Sequence, residues 1–218
     1  MEIVVRGRGA EYFTPNEVTL SIDFKTKSVT YEEVLKEGVK NVQLFVEEIL
    51  IKNNFTKEDM KTRNFVIREE REYNENIKKY EFVGYSFSQS ASLKFDYNKE
   101  LIADMMVSIS KLDNAPMCQI SFGVKDEKEC RRNILTIAYK DAENQARAIA
   151  DASGKTLKYC QKVDFNPSEM SYYSPTRFNS DVIYSSKSSY SATQAIINTF
   201  TPEDIELTEV LYCLWIAE

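Results

Sequence analysis

Residues 138–154 read AYKDAENQARAIADASG, with alanine at every fourth position: Ala138, Ala142, Ala146 and Ala150. Residues four apart lie on one face of an α-helix, so the stretch predicts a helix that carries a row of small side chains. Asp126 with Glu129 three residues later marks its start, and Gly154 suits the left-handed residue that ends a helix. Such a row allows the helix to lie close against a sheet or another helix.

The sequence on either side of this helix predicts strands and two more helices. Val18, Leu20, Ile22 and Phe24 alternate with polar residues, which indicates a strand with one buried face. A helix starts at the Thr30–Glu33 capping box. The remaining elements are strands at about 2–6, 60–73, 79–96, 116–124, 156–165 and 203–217 and a helix at about 99–112. The pattern predicts an α+β fold in the order β-β-α-β-β-α-β-α-β-β, an antiparallel-rich mixed sheet with three helices packed on it.

Gly7-Arg8-Gly9 follows the first strand and invites comparison with a dinucleotide-binding loop. That interpretation fails because Tyr12 occupies the third glycine position, and Pro15 and another strand follow where a helix is required. We interpret the two glycines as a bend between the first two strands.

The last strand is apolar on both faces from Val210 to Ile216. A strand with one solvent-exposed face would alternate apolar and polar residues. This strand therefore either lies in the middle of the sheet beneath two layers or is covered by another subunit. Its candidate interaction residues are Val210, Tyr212, Leu214 and Ile216.

Residues 167–201 are rich in Ser and Tyr, show no periodicity and are predicted to form a flexible insert. Two interpretations are open. The segment is a flexible surface loop, or it is a contact arm that orders on a partner through its tyrosines. The candidate contact residues are Tyr172, Tyr173, Tyr184 and Tyr190.

The composition argues against an enzyme. The 218 residues include no histidine, the usual general acid or base, so Ser-His-Asp and Cys-His arrangements are excluded. The four cysteines form no close-spaced pair, so no metal site is predicted, and no cofactor motif is present. A net charge of −6 without a basic cluster disfavours nucleic-acid binding. We therefore predict no catalytic, cofactor-binding or metal-binding residues.

No apolar run approaches the roughly 20 residues that span a bilayer, so no transmembrane segment is expected. The N-terminus shows no basic and apolar export signal. The sequence as given predicts a cytoplasmic protein, and the alternative is an exported one whose signal peptide is absent from this sequence.

Several local sequences, in their order and spacing, resemble the SIMPL-domain family, which includes bacterial periplasmic immunogenic proteins. They are Val4–Gly9, Pro15, Lys61–Phe65, Gly84-Tyr85, the alanine row ending at Gly154, and the strand after Pro202-Glu203. The resemblance covers 1–218 as a single domain. It implies helices on an antiparallel-rich sheet, homo-oligomers in some members, links to the envelope or to stress tolerance in others, and no established catalytic residues.

We predict a non-enzymatic module that self-associates into a homo-oligomer through sheet edges and the terminal strand, and the sequence does not identify a protein partner. The alternative is a small-molecule or peptide-binding module that uses the aromatic face of the 79–96 strand and the tyrosine-rich segment.

Overall fold

The computed structural model describes residues 1–167, 169–179 and 201–218. Over these residues it confirms the α+β class with three α-helices. The elements are β1 (Glu2–Phe13), β2 (Glu17–Ser28), α1 (Tyr31–Phe45), β3 (Met60–Asn74), β4 (Lys79–Asp96), α2 (Lys99–Ser110), β5 (Met117–Gly123), α3 (Glu127–Ala152), β6 (Leu157–Asp164), β7 (Tyr173–Asn179) and β8 (Ile205–Ala217). Strand β7 lies inside the segment that was predicted to be irregular, whereas residues 180–200 lie outside the described residues.

The described strands form two antiparallel sheets, where the sequence predicted one. Their orders are β1-β8-β6 and β3-β4-β2-β5-β7. The division begins at Pro15, because β1 pairs with β8 while the next strand, β2, pairs with β4. Alternation of residue types reveals a strand and its buried face, but it does not identify the partner strand. The prediction of a single sheet was wrong for this reason.

The chain forms two compact units. The first unit comprises Met1–Asn16, Gly123–Pro175 and Pro202–Glu218, and the second comprises Glu17–Phe122 and Thr176–Thr201. Strands β2, β3 and β4 lie wholly in the second unit. Its core joins the inner face of β2 to the apolar sides of α1 and α2 and to β4 and β5.

Helix α1 begins as the sequence predicted. The Thr30 hydroxyl accepts a hydrogen bond from the Glu33 amide at 3.3 Å, and hydrogen bonds from Ser28 and Thr30 lower the pKa of the Glu33 carboxyl. The helix continues into a π-turn at Val46–Leu50 and a 3₁₀ turn at Ile51–Asn53, and Asn54 ends it with a φ of 63°. Asparagine tolerates this left-handed conformation better than most residues.

In the first unit, α3 packs directly on β1 through its alanine row. Ala138, Ala142, Ala146 and Ala150 are all fully buried against the sheet. Gly7 and Gly9 face them, and an added Cβ would lie 2.0 Å from the Ala138 carbonyl oxygen at Gly7 and 2.1 Å from the Ile134 carbonyl oxygen at Gly9. The bend predicted at these glycines was therefore wrong. Both residues lie inside a continuous strand, and they are glycines because the helix backbone occupies the space of a side chain.

Helix α3 also covers the outer edge of β1. The Arg8 amide donates to the Asp141 carboxylate at 2.8 Å, and the Gln145 side-chain amide donates to the Arg6 carbonyl at 3.0 Å. Unpaired edge groups invite pairing with another chain. These two bonds close part of that edge from within the first unit.

We expect Gly9→Ala to destabilise the first unit strongly, because the new methyl group would overlap helix backbone, which cannot move aside as a flexible side chain can. Overpacking typically costs about 1–3 kcal/mol in the free energy of unfolding, and overlap with rigid backbone places Gly9→Ala at the upper end of that range. Urea unfolding followed by fluorescence measures the loss, since Trp215, the single tryptophan, is buried in this unit.

Gly154→Ala is the matched control. Its φ is 67°, and nothing lies within 4 Å of an added Cβ, so it should lose only about 1 kcal/mol from backbone strain. Equal losses in the two variants would contradict the close-approach argument.

Candidate functional site

Strand β8 is the middle strand of the first unit's sheet, and its two faces have different surroundings. Alternate residues from Ile205 to Ala217 are buried on the side of α3. The opposite face carries all four residues that the sequence singled out. Val210, Leu214 and Ile216 are half-buried, and Tyr212 is 52% exposed. Within the described part of the first unit, helix α3 supplies one covering layer, and the expected second layer is not found.

Neighbouring strands extend this apolar face. Val4 of β1 lies opposite Leu214 and is 71% exposed. Tyr159 of β6 lies opposite Ile216 and is 58% exposed. We call the surface formed by Val4, Tyr159, Val210, Tyr212, Leu214 and Ile216 the open face. Because exposed apolar patches often occur at interaction sites, the open face is the candidate interaction surface of this unit.

The tyrosines of the 167–201 segment are not brought together as one surface in the described part of the chain. Tyr172 is half-buried and packs against a core cluster around Val124 and Cys130. Tyr173 begins β7 and lies close to Gly123. Tyr184 and Tyr190 lie outside the described residues, so their proposed contact role stays a prediction.

The aromatic face of β4, the predicted site of the alternative function, lies in the core of the second unit. Phe87, Ala91 and Leu93 are buried, and Tyr85 and Phe95 pack against them. The side chains that would have lined a groove on this strand therefore serve packing.

The first unit contains an ion pair that the sequence did not reveal, between a fully buried carboxylate and a partly exposed guanidinium. Glu209 of β8 is fully buried, and its carboxylate accepts a hydrogen bond from the Arg131 guanidinium of α3 at 2.6 Å. The Arg131 guanidinium also lies 5.8 Å from the centre of the Phe165 ring. The sequence did offer one signal of this pair. Glu209 is a charged residue between Leu207 and Leu211, at a position where the alternation of the strand predicts a buried apolar side chain.

A groove lies beside this ion pair, between α3 and β6. It has a volume of about 770 Å³ and is lined by the side of α3 from Lys128 to Glu143, by Val163 and Phe165, and by Leu211. Tyr139, one of its lining residues, packs against Trp215 with ring centres 5.5 Å apart. Burial raises the pKa of the Tyr139 phenol, which favours its neutral form.

The cysteines occupy the positions of small apolar residues. Cys118, Cys130 and Cys213 are buried and Cys160 is half-buried, and all four are free thiols. Burial raises the pKa of Cys118 to about 12, that of Cys213 to about 11, and that of Cys130 above its ordinary value. Because the thiolate is the nucleophile, these three thiols are poorly suited to covalent chemistry near neutral pH.

Comparison with known proteins identifies the family. The family described as SIMPL, protein of unknown function (DUF541), matches residues 3–211, and the chain belongs to it. The search of curated proteins gave no match. Within the described part of the chain, the helices are all too short or too polar to cross a membrane, and no group of three or more Cys, Asp or Glu residues could hold a metal ion.

We expect Arg131→Met to destabilise the first unit by about 3 kcal/mol, because it leaves the buried Glu209 carboxylate without its guanidinium partner. The double variant Arg131→Met/Glu209→Leu should recover most of this loss, since both charges are then gone. Urea unfolding followed by Trp215 fluorescence measures both. A double variant as unstable as the single one would show that the charge pair is not the cause.

We expect a thiol reagent at pH 8 to modify Cys160 in the folded protein well before the other three cysteines. The raised pKa of Cys118 leaves a thiolate fraction roughly a thousandfold below that of an ordinary thiol, and burial also blocks access. Mass spectrometry after brief labelling should find one modified cysteine, and Cys160→Ser should abolish this early product. Early labelling at Cys118 or Cys213 would contradict the packing described.

Proposed function

We propose that the protein is a non-enzymatic module that self-associates through the open face of its β1-β8-β6 sheet. The observation that carries this proposal is the second face of β8, where Val210, Leu214 and Ile216 stand in a row with the half-exposed Tyr212. Apolar side chains in the middle of a sheet favour a covering layer, because burial removes their surface from water. The absence of histidine from the sequence supports the non-enzymatic part of the proposal.

Charge placement favours a second copy of the chain as the covering layer. Arg6 of β1 and Asp164 of β6 both lie opposite Tyr212, so the three form one line across the sheet with opposite charges at its ends. Asp164 also pairs with Lys162 at 2.7 Å, but both side chains are more than half exposed and such a pair is weak. In a symmetric dimer the same surface meets itself. A two-fold axis parallel to β8 would place Arg6 of each copy over Asp164 of the other.

The edge groups argue for face-to-face rather than edge-to-edge contact at β1. Asp141 and Gln145 of α3 already bond the backbone of Arg6 and Arg8 at the outer edge of that strand. At the opposite side of this sheet, no described strand pairs with the outer edge of β6. Contact through sheet edges is therefore proposed for β6 alone, as an addition to the open face.

We expect the 25.2 kDa chain to sediment as a dimer or larger species at tens of micromolar, and Tyr212→Lys to shift it toward the monomer. The lysine places two like charges at the centre of the proposed symmetric interface without disturbing the core. Sedimentation velocity over a concentration series measures the change.

Tyr80→Lys is the matched control, because Tyr80 is 69% exposed and lies on β4 of the second unit. It should leave the association unchanged. A wild-type monomer over the whole concentration series would overturn the proposal, and dissociation by Tyr80→Lys alone would place the interface elsewhere.

A further inference from the structure

We propose that the groove between α3 and β6 binds a single anionic amphiphile, a long-chain fatty acid in its carboxylate form. The carboxylate lies at the Lys128 and Arg132 end of the groove. The alkyl chain extends along α3 toward Glu143. This site lies on the side of the sheet that faces α3 and is separate from the open face.

The middle of the groove supplies an apolar surface for the chain. Leu135 is half-buried, Tyr139 is 36% exposed and Val163 is 44% exposed, while Leu211 lies below them at 5%. The volume of about 770 Å³ is typical of small-molecule sites. Lys128 and Glu143 are fifteen residues apart on a helix that rises 1.5 Å per residue, so the groove extends for about 22 Å. An extended alkyl chain matches this narrow shape.

The charges are distributed unevenly along the groove. Lys128, Arg131 and Arg132 cluster on the first turns of α3. The far end carries one lining cation, Lys140, three residues before Glu143, whose carboxylate accepts a hydrogen bond from Arg147 at 2.7 Å. In a chain of net charge −6, the first turns of α3 are a local positive site. The excess of positive charge lies at this end, because Lys140 at the far end is offset by the Glu143 carboxylate one helical turn away. A single anionic head group therefore fits best at the first turns of α3.

The cations at the head-group end differ in how readily they can bind a ligand carboxylate. Arg131 is committed to the buried Glu209. Arg132 bonds Glu129 at 3.3 Å, but both side chains are more than half exposed, and exposed pairs of this kind are weak. For Lys128 the described residues provide no ion-pair partner. Lys128 and Arg132 are therefore the side chains that can turn to an incoming carboxylate.

The lining favours an alkyl chain over a peptide. A peptide brings backbone N–H and C=O groups that need hydrogen-bond partners when buried. The middle of the groove presents the apolar side chains of Leu135, Val163 and Leu211. The hydroxyls of Thr136 and Tyr139 are too few to pair with a buried peptide backbone. An alkyl chain makes no such demand.

The test uses bromine quenching of Trp215 in the intact protein. Trp215 is the single tryptophan, and its ring packs against Tyr139 of the groove. We expect 9,10-dibromostearate to quench its fluorescence in a saturable manner, because bromine quenches only at short range. Stearate should reverse the quenching by competition, and stearylamine, which has the same chain and a positive head group, should not. No saturable quenching, or equal competition by stearylamine, would overturn the proposal.

A charge-reversal pair tests the head-group end. We expect Lys128→Glu/Arg132→Glu to weaken dibromostearate binding by on the order of tenfold, equivalent to about 1.4 kcal/mol. Lys36→Glu/Lys40→Glu is the matched control, because it makes the same charge change at the same spacing on the exposed side of α1. That variant should bind as the wild type does. Equal weakening in both pairs would show a general charge effect and contradict the site.

Three further controls complete the test. Circular dichroism and the Trp215 emission maximum establish that each variant is folded, and Val163→Asp, a change at a 44% exposed position, tests the apolar wall independently. Val163→Asp should weaken dibromostearate binding, and this result remains informative even if the Lys128→Glu/Arg132→Glu variant does not fold. The last control measures binding of the protein to phosphatidylglycerol vesicles. Vesicle binding that monomeric stearate does not compete away would assign the groove to a membrane surface and overturn the proposal.

Discussion

The close contact between α3 and β1 is the constraint on which the rest of the first unit depends. At Gly7 the helix backbone comes within 2.0 Å of the position that a Cβ would occupy, and at Gly9 within 2.1 Å. Such an approach requires glycine on the strand and alanine on the helix, because any larger side chain would separate the two backbones. The contact fixes the helix over β1, where its side chains bond the strand's outer edge.

The position of α3 accounts for both candidate surfaces. A helix with its side chains is about 10–12 Å wide, so one drawn tightly onto β1 leaves the β6 side of the sheet uncovered. The groove forms there, lined by the flank of α3 and by Val163 and Phe165. On the opposite side of the sheet the described residues of the first unit provide no helix, and the second row of β8 is partly exposed.

The sequence predicted the elements well and their partners poorly. Periodicity and capping located three helices and most strands because these signals are local. The two sheets were missed, because the partner of β1 lies some two hundred residues away at β8. Gly7 and Gly9 were assigned to a bend because glycine permits both a bend and a close approach, and only the facing helix distinguishes them.

In the candidate site, too, the sequence predicted local features but not contacts between distant segments. Tyr212 and its neighbours were singled out because β8 is apolar on both faces, which one strand's sequence can show. The groove could not be predicted, since its walls are residues 128–143 and residues 163–165, and nothing local relates them. Glu209 lies between these cases. Its inward position was visible in the alternation, but its partner Arg131 becomes apparent only when α3 is placed on the sheet.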